Sequence, residues 1–186
     1  MRELHYIAEW VFAFVVGAFL LRLLLQLVRT ELRNPLVQAL VRLTNPVILP
    51  LRKIVPPVGR IDSASVLAVL LVQVAASVVL TLLAGYGLPS PLQLLLRAPV
   101  ALADTTLTLY VVATIGYVLL SWVAPDGYSP AGRLLADLVA PLLRPLQRAL
   151  PTLGGLDLSP AAAILLLSVL RIVLNDRIAP LLFGLG

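Results

Sequence analysis

Two aspartates, Asp62 and Asp157, close the same string of residues, Pro-x3-Pro-x5-Pro-x2-Gly-x2-Asp. It runs Pro46, Pro50, Pro56, Gly59, Asp62 and again Pro141, Pro145, Pro151, Gly154, Asp157. A carboxylate just ahead of a helix satisfies its unpaired N–H groups and meets the positive end of its dipole. Two carboxylates related by a repeat could instead share a cation or a proton, provided they face one cavity. The prolines are expected to end a helix and set an extended or turning path, and each glycine to permit a positive-φ turn. The string is therefore either a rigid connector that aims the chain into the next element or a docking surface for another protein.

The cations form the second chemical group. Arg22 lies inside an apolar run, where a charge is costly unless it snorkels to the interface or pairs. Arg42, Arg52, Lys53, Arg60, Arg144 and Arg148 surround the two Pro-rich strings and are candidates for lipid or partner contact. Arg42 and Asp137 stand at equivalent repeat positions with opposite charge, so a pair between the copies is an expectation. The formal charge of +5 does not point to nucleic acid, because the basic residues alternate with Leu, Val and Pro and no aromatic stacking motif accompanies them.

Enzyme chemistry lacks parts. There is no cysteine, which removes disulfides, thiol redox chemistry and Cys-based metal sites, and the single histidine, His5, cannot build a metal site alone. No phosphate-cradling glycine loop, H-E-x-x-H or G-x-S-x-G occurs. A non-enzyme without cofactor or metal is expected.

The elements that carry these residues belong in lipid. The chain has 186 residues, 60% of them apolar and 12% charged, with a mean hydropathy of +1.02. That is far more apolar than a soluble domain. Apolar runs at 6–28, 64–84, 100–123 and 160–174 predict about four membrane helices. The fourth is short and must thin the bilayer, rely on a snorkelling Arg171, or continue irregularly to Phe183. Asn34-Pro35 and Ser129-Pro130 each read as an N-cap followed by proline at the first helical position, opening an amphipathic helix that lies along the interface. Leu36, Leu40, Leu43 and Val47 share one face of the first; Ala131, Leu135, Leu138 and Leu142 share one face of the second. Small residues at Ala13 and Gly17, and at Ala113 and Gly116, suit close helix packing, inside the chain or in a homo-oligomer.

A shift of 95 residues superposes the two halves without a gap and gives 9 identities in the 29 positions from Asn34 to Asp62, four prolines, a glycine and an aspartate among them. The expected division is 1–87, a linker at 88–99, and 100–186. Nine basic residues flank the Pro-rich side and three (Arg2, Arg97, Arg177) the other, which puts both Pro-rich loops in the cytoplasm and both termini outside. The expected fold is thus an all-α membrane protein of two parallel repeats.

The string Asn34-Pro35, Thr44-Asn45-Pro46, Pro50, Arg52, Pro56, Gly59, Ile61, Asp62, with its second version at Ser129-Pro130, Pro141, Pro145, Pro151, Gly154, Asp157 and Ser159-Pro160, resembles the YggT family, also called YlmG. The second copy departs at Tyr117 and Gln147, where the family favours arginine and a basic residue. The resemblance implies a small bacterial inner-membrane protein linked to cell division and osmotic stress tolerance, with no established catalytic site. The expected function is a membrane scaffold or assembly factor, with anionic lipids and other membrane proteins as partners; the alternative is an oligomeric channel or ion-handling protein in osmotic protection.

Overall fold

The computed structural model describes residues 2–57, 62–123, 129–150 and 157–180. These residues form six α-helices: α1 (Arg2–Leu27), α2 (Pro35–Ile54), α3 (Ser63–Leu83), α4 (Pro91–Val123), α5 (Pro130–Ala149) and α6 (Ser159–Val173). A π-helical turn, Leu174–Ile178, continues α6. No strand occurs among the described residues. Three helices, α1, α3 and α4, are long and apolar enough to cross a bilayer. The chain is an all-α membrane protein.

Each copy packs in the same way. In the first, α1 lies against α3 and α2 leans on both; in the second, α4 lies against α6 and α5 leans on both. Across the copies, α1 meets α4 and α2 meets α5, so equivalent helices face one another; α3 also touches α4, whereas α3 and α6 do not meet. One core gathers Leu25 and Val37 with Ala113, Leu138, Val139 and Ala163 across this boundary. A second core, of Phe19, Leu20, Ile48, Ala64, Ala68 and Val69, is built from first-copy residues, with Leu102 of α4 packed against it.

The interfacial helices start as their sequences require. The Asn34 carbonyl Oδ1 accepts from the N–H of Leu36 at 2.9 Å, and the Ser129 hydroxyl accepts from Gly132 at 2.9 Å, each with proline in the first turn. They do not stop as expected. Pro46 and Pro50 lie inside α2, and Pro141 and Pro145 inside α5. Each proline frees the carbonyl four residues earlier. The four rings stand on the exposed side of their helices, away from the packed core. The buried side, Thr44 and Ile48 in α2 and Leu138, Val139 and Leu143 in α5, keeps the helical path by packing. Tertiary burial thus overrides the local break.

The packed face of α2 is Val37, Thr44 and Ile48, so Leu36, Leu43 and Val47 of the expected stripe form a separate exposed apolar edge. In α5 the equivalent of Leu43, Leu138, is fully buried. α4 begins at Pro91 rather than near residue 100. At ~50 Å for its 33 residues it exceeds the ~30 Å hydrocarbon layer, so its ends reach beyond lipid. Where α6 was expected to continue irregularly, it passes into the π-turn; Phe183 lies outside the described residues.

α1 and α3 share one terminator with different residues. At the end of α3 the N–H of Gly85 bonds the Leu82 carbonyl and that of Tyr86 reaches Thr81, with Gly85 at φ 84°. At the end of α1 the N–H of Arg29 bonds Gln26 and that of Thr30 reaches Leu25, with Arg29 at φ 58°. Glycine is the usual occupant of this left-handed position, and arginine there carries strain.

The starts of α2 and α5 are also tied together. The Asn34 amide donates from Nδ2 to the Pro130 carbonyl at 2.7 Å, joining the two copies at equivalent points. Asn34→Ala is expected to lose both the cap and this tie, costing about 1 kcal/mol or more. Asn34→Ser keeps the cap but is too short for Pro130, so it should fall between wild type and Ala in thermal unfolding followed in detergent.

Candidate functional site

Arg22 is the centre of the first copy. It sits one and a half turns before the end of α1 and is 7% exposed. Its Nη1 donates to the Val41 carbonyl at 3.1 Å, to Thr44 Oγ1 at 2.5 Å and to Asn45 Oδ1 at 2.9 Å. It is held inside the protein rather than snorkelling. The acceptors lie in the turn just before Pro46, so the guanidinium clamps the part of α2 that lacks a backbone bond. The second copy replaces the whole set at once: Arg22, Thr44 and Asn45 correspond to Tyr117, Val139 and Ala140. There Tyr117 packs against the apolar core that contains Val139. One position therefore has two self-consistent solutions, polar and apolar.

A second cluster closes the Pro-rich string. Arg52 donates through Nε (3.1 Å) and Nη2 (2.5 Å) to Asp62 Oδ2, which also accepts from the Ser65 hydroxyl at 2.7 Å. Asp62 occupies the N-cap position of α3, but its carboxylate turns to these side chains rather than to a backbone N–H. Beside it the Ser63 hydroxyl donates to the Pro56 carbonyl, pinning the return of the chain. In the second copy Gln147 takes the place of Arg52 and donates to Asp157 Oδ2 at 2.8 Å, while Asp157 Oδ1 accepts from the Ser159 N–H at 2.9 Å. The repeat thus conserves a bond across the string and exchanges its charge. Each aspartate is engaged within its own copy, so the two do not come together around one ion. Gly59, Arg60, Pro151 and Gly154 lie outside the described residues.

Burial pushes the Asp62 carboxyl up, but the hydrogen bonds from Arg52 and Ser65 and the Arg52 charge more than reverse this and hold it below the usual carboxylate range. Asp157 is also lowered, first by the Ser159 backbone N–H and then by Gln147.

A third cluster was not foreseen. Asp104, in the middle of an apolar helix, pairs with Arg171 of α6 through Nε at 2.8 Å and Nη2 at 3.1 Å, and accepts from Asn175 Nδ2 at 2.8 Å. Arg171 and Asn175 are four residues apart, on one face, and the π-turn begins at Leu174 beside them. Arg171 is therefore paired rather than snorkelling. The signal was present in sequence, as opposite charges in two apolar runs that each need a partner. The first copy has Glu9, Ala76 and Leu80 at these positions and cannot make the pair.

The expected Arg42–Asp137 pair does not form; the ion pairs among the described residues are Arg52–Asp62 and Arg171–Asp104. Arg42, Lys53, Arg144 and Arg148 are exposed. Gly116 faces Leu135 closely enough that an added Cβ would lie 3.0 Å from its Cδ1, whereas Gly17 faces open space. Ala113 and Gly116 thus serve internal packing.

The family profile described as CCB3/YggT matches residues 1–83 and then 96–178, two segments of equal length offset by the same 95 residues that relate the clusters. The chain belongs to the CCB3/YggT family. It contains two tandem copies of the family unit. It is 41% identical over 161 residues to an uncharacterized protein of Pseudomonas aeruginosa, covering 86% of this chain and 82% of the relative. An uncharacterized protein from the proC 3′ region of Vibrio alginolyticus is 33% identical over 186 residues, the full length of both. The uncharacterized protein YggT of Escherichia coli K12 is 33% identical over 171 residues, covering 92% of this chain and 88% of the relative. No solved structure matches the chain.

Two tests follow from the CCB3/YggT clusters. Arg22→Tyr alone should remove the donor to Val41, Thr44 and Asn45, leaving Thr44 only its bonds to the Leu40 and Val41 carbonyls, and cost about 1–3 kcal/mol. The triple Arg22→Tyr/Thr44→Val/Asn45→Ala, which writes the second copy's solution into the first, should recover part of that loss in thermal unfolding, with a coupling of about 0.5–3 kcal/mol. Because the Asp62 pKa is depressed by folding, its contribution to stability is present above about pH 4 and is lost as pH falls through the lower folded value. Unfolding midpoints measured from pH 7 downward should therefore drop more steeply for wild type than for Asp62→Asn.

Proposed function

We propose that the protein is a non-enzymatic, multi-pass scaffold or assembly factor of the bacterial inner membrane. The Pro-rich segments lie on the cytoplasmic side and the termini outside, by the excess of basic residues around those segments. α6 with its π-turn serves as the fourth crossing, the counterpart of α3. The observation that carries the reading is the placement of Arg42, Arg52 and Lys53 on α2 and of Arg144 and Arg148 on α5, exposed on two amphipathic helices joined through Asn34 and Pro130. Such a surface holds acidic partner segments and anionic headgroups together at the membrane face. A role in cell division or osmotic tolerance is then that of an organiser.

The polar groups inside the spans support the same reading, because they are spent on joining helices. Arg22 ties α1 to α2 and Asp104 ties α4 to α6. Thr105, Thr106, Thr108 and Thr114 return their hydroxyls to carbonyls of their own helix.

Photo-crosslinkers placed at Arg42 and Arg148 in native membranes should trap a discrete membrane protein, and charge reversal at Lys53 and Arg144 should abolish the adduct. Potassium flux into liposomes carrying the purified protein should equal that of empty vesicles. Robust flux without any trapped partner would replace the scaffold by the oligomeric channel.

A further inference from the structure

A cavity of about 550 Å³ opens between the end of α1 and the underside of α2. Three arginines line it, Arg22, Arg29 and Arg52. Its other walls are apolar, including Leu25, Val37 and Leu40, and the exposed Leu32 and Leu49 also line it. The size and the mixed lining suit one amphiphilic ligand.

Three independent features of this cavity are unexplained by the fold. Arg22 is only 7% exposed, yet no carboxylate among the described residues forms a direct ion pair with it. Its bonds to Val41, Thr44 and Asn45 all leave from Nη1, so among the described residues Nε and Nη2 are not used to hold α2. Arg22 and Arg52 share the one Asp62 carboxylate, so positive charge is in excess here, and an anion in the cavity offsets the cost of burying it. Thr30, 9% exposed, also lines the cavity, and its Oγ1 is buried without a hydrogen-bond partner. Arg29 adopts a left-handed backbone that glycine would take without strain, as Gly85 does at the end of α3. Strain kept at a lining residue is what a ligand contact would justify.

We propose that this cavity binds the phosphate of an anionic phospholipid, with Arg22, Arg29 and Arg52 as its charge partners, the Thr30 hydroxyl as a further donor, and the acyl chains leaving past Leu32 and Leu49. Arg52 keeps Nη1 for this purpose, since Nε and Nη2 serve Asp62. The site rests on the reading of the basic side as the one that meets anionic lipid. It belongs to the first copy alone: Arg22, Arg29 and Arg52 correspond to Tyr117, Ala124 and Gln147.

The test uses the full chain, delipidated in mild detergent, and reads retained lipid by native mass spectrometry alongside the unfolding midpoint. Phosphatidylglycerol should bind and raise the midpoint, phosphatidylcholine should do neither, and inorganic phosphate should protect only weakly. Among the described residues Thr30→Val and Arg29→Gly remove no side-chain hydrogen bond, so the lipid-free midpoint should hold or rise while phosphatidylglycerol affinity falls about tenfold. Equal binding of the two lipids, or wild-type affinity in both variants, would overturn the site. Inorganic phosphate matching phosphatidylglycerol would overturn the lipid as occupant and leave a phosphate site. Crosslinks from Arg42 and Arg148, read in native membranes, should persist in both variants, which separates failure of this site from failure of the scaffold.

Discussion

A guanidinium enclosed in a membrane protein has to be answered by its neighbours, and Arg22 is the charge around which the first copy is arranged. At 7% exposure little of it is left to water, and α2 lies close enough to offer Val41, Thr44 and Asn45. That need fixes the rotation of α2 about its own axis. Once Thr44 faces inward, Ile48 follows it into the core one turn on and Pro46 and Pro50 are carried outward. The same rotation brings Arg52 to Asp62 and closes the string on the start of α3. A single cation thus sets the geometry of a whole repeat.

The second copy reaches the same backbone plan by other means. Its interfacial helix is held by apolar contact, with Leu138 and Val139 buried against residues of both copies. Its polar investment has moved along the span to Asp104, Arg171 and Asn175, where α6 is short and turns π-helical. An ion pair costs more to desolvate than it returns in many soluble cores, but in lipid its absence would leave either charge without a partner. The pair therefore acts as a lock on helix position. Hydrophobic force cannot do this between helices already surrounded by hydrocarbon.

Much of this was legible in sequence, for definite reasons. Membrane residence, the repeat offset and the capped starts at Asn34 and Ser129 depend on composition, register and local chemistry, all of which one strand of sequence contains. The fate of Pro46 and Pro50 was not legible, because a proline's tendency to break a helix is local whereas the burial of Thr44 and Ile48 that overrules it is tertiary. Arg22 was visible as a costly charge, but its acceptors lie about twenty residues away and include a backbone carbonyl, which no residue type reveals. Asp104 was overlooked beside a long apolar run, although Arg171 opposite gave it a natural partner. The Arg42–Asp137 expectation failed because equivalence in a repeat gives symmetry and not proximity.

The bond from Asn34 to the Pro130 carbonyl has a direction. Its mirror image would require residue 129 to reach the carbonyl of Pro35, but that residue is serine, too short for the span and already committed to Gly132. Two first halves would each offer an asparagine and would bury a pair of arginine clusters; two second halves would offer none. The molecule is in effect a heterodimer written in a single chain, its two halves joined by a contact that neither could make with a copy of itself in both directions.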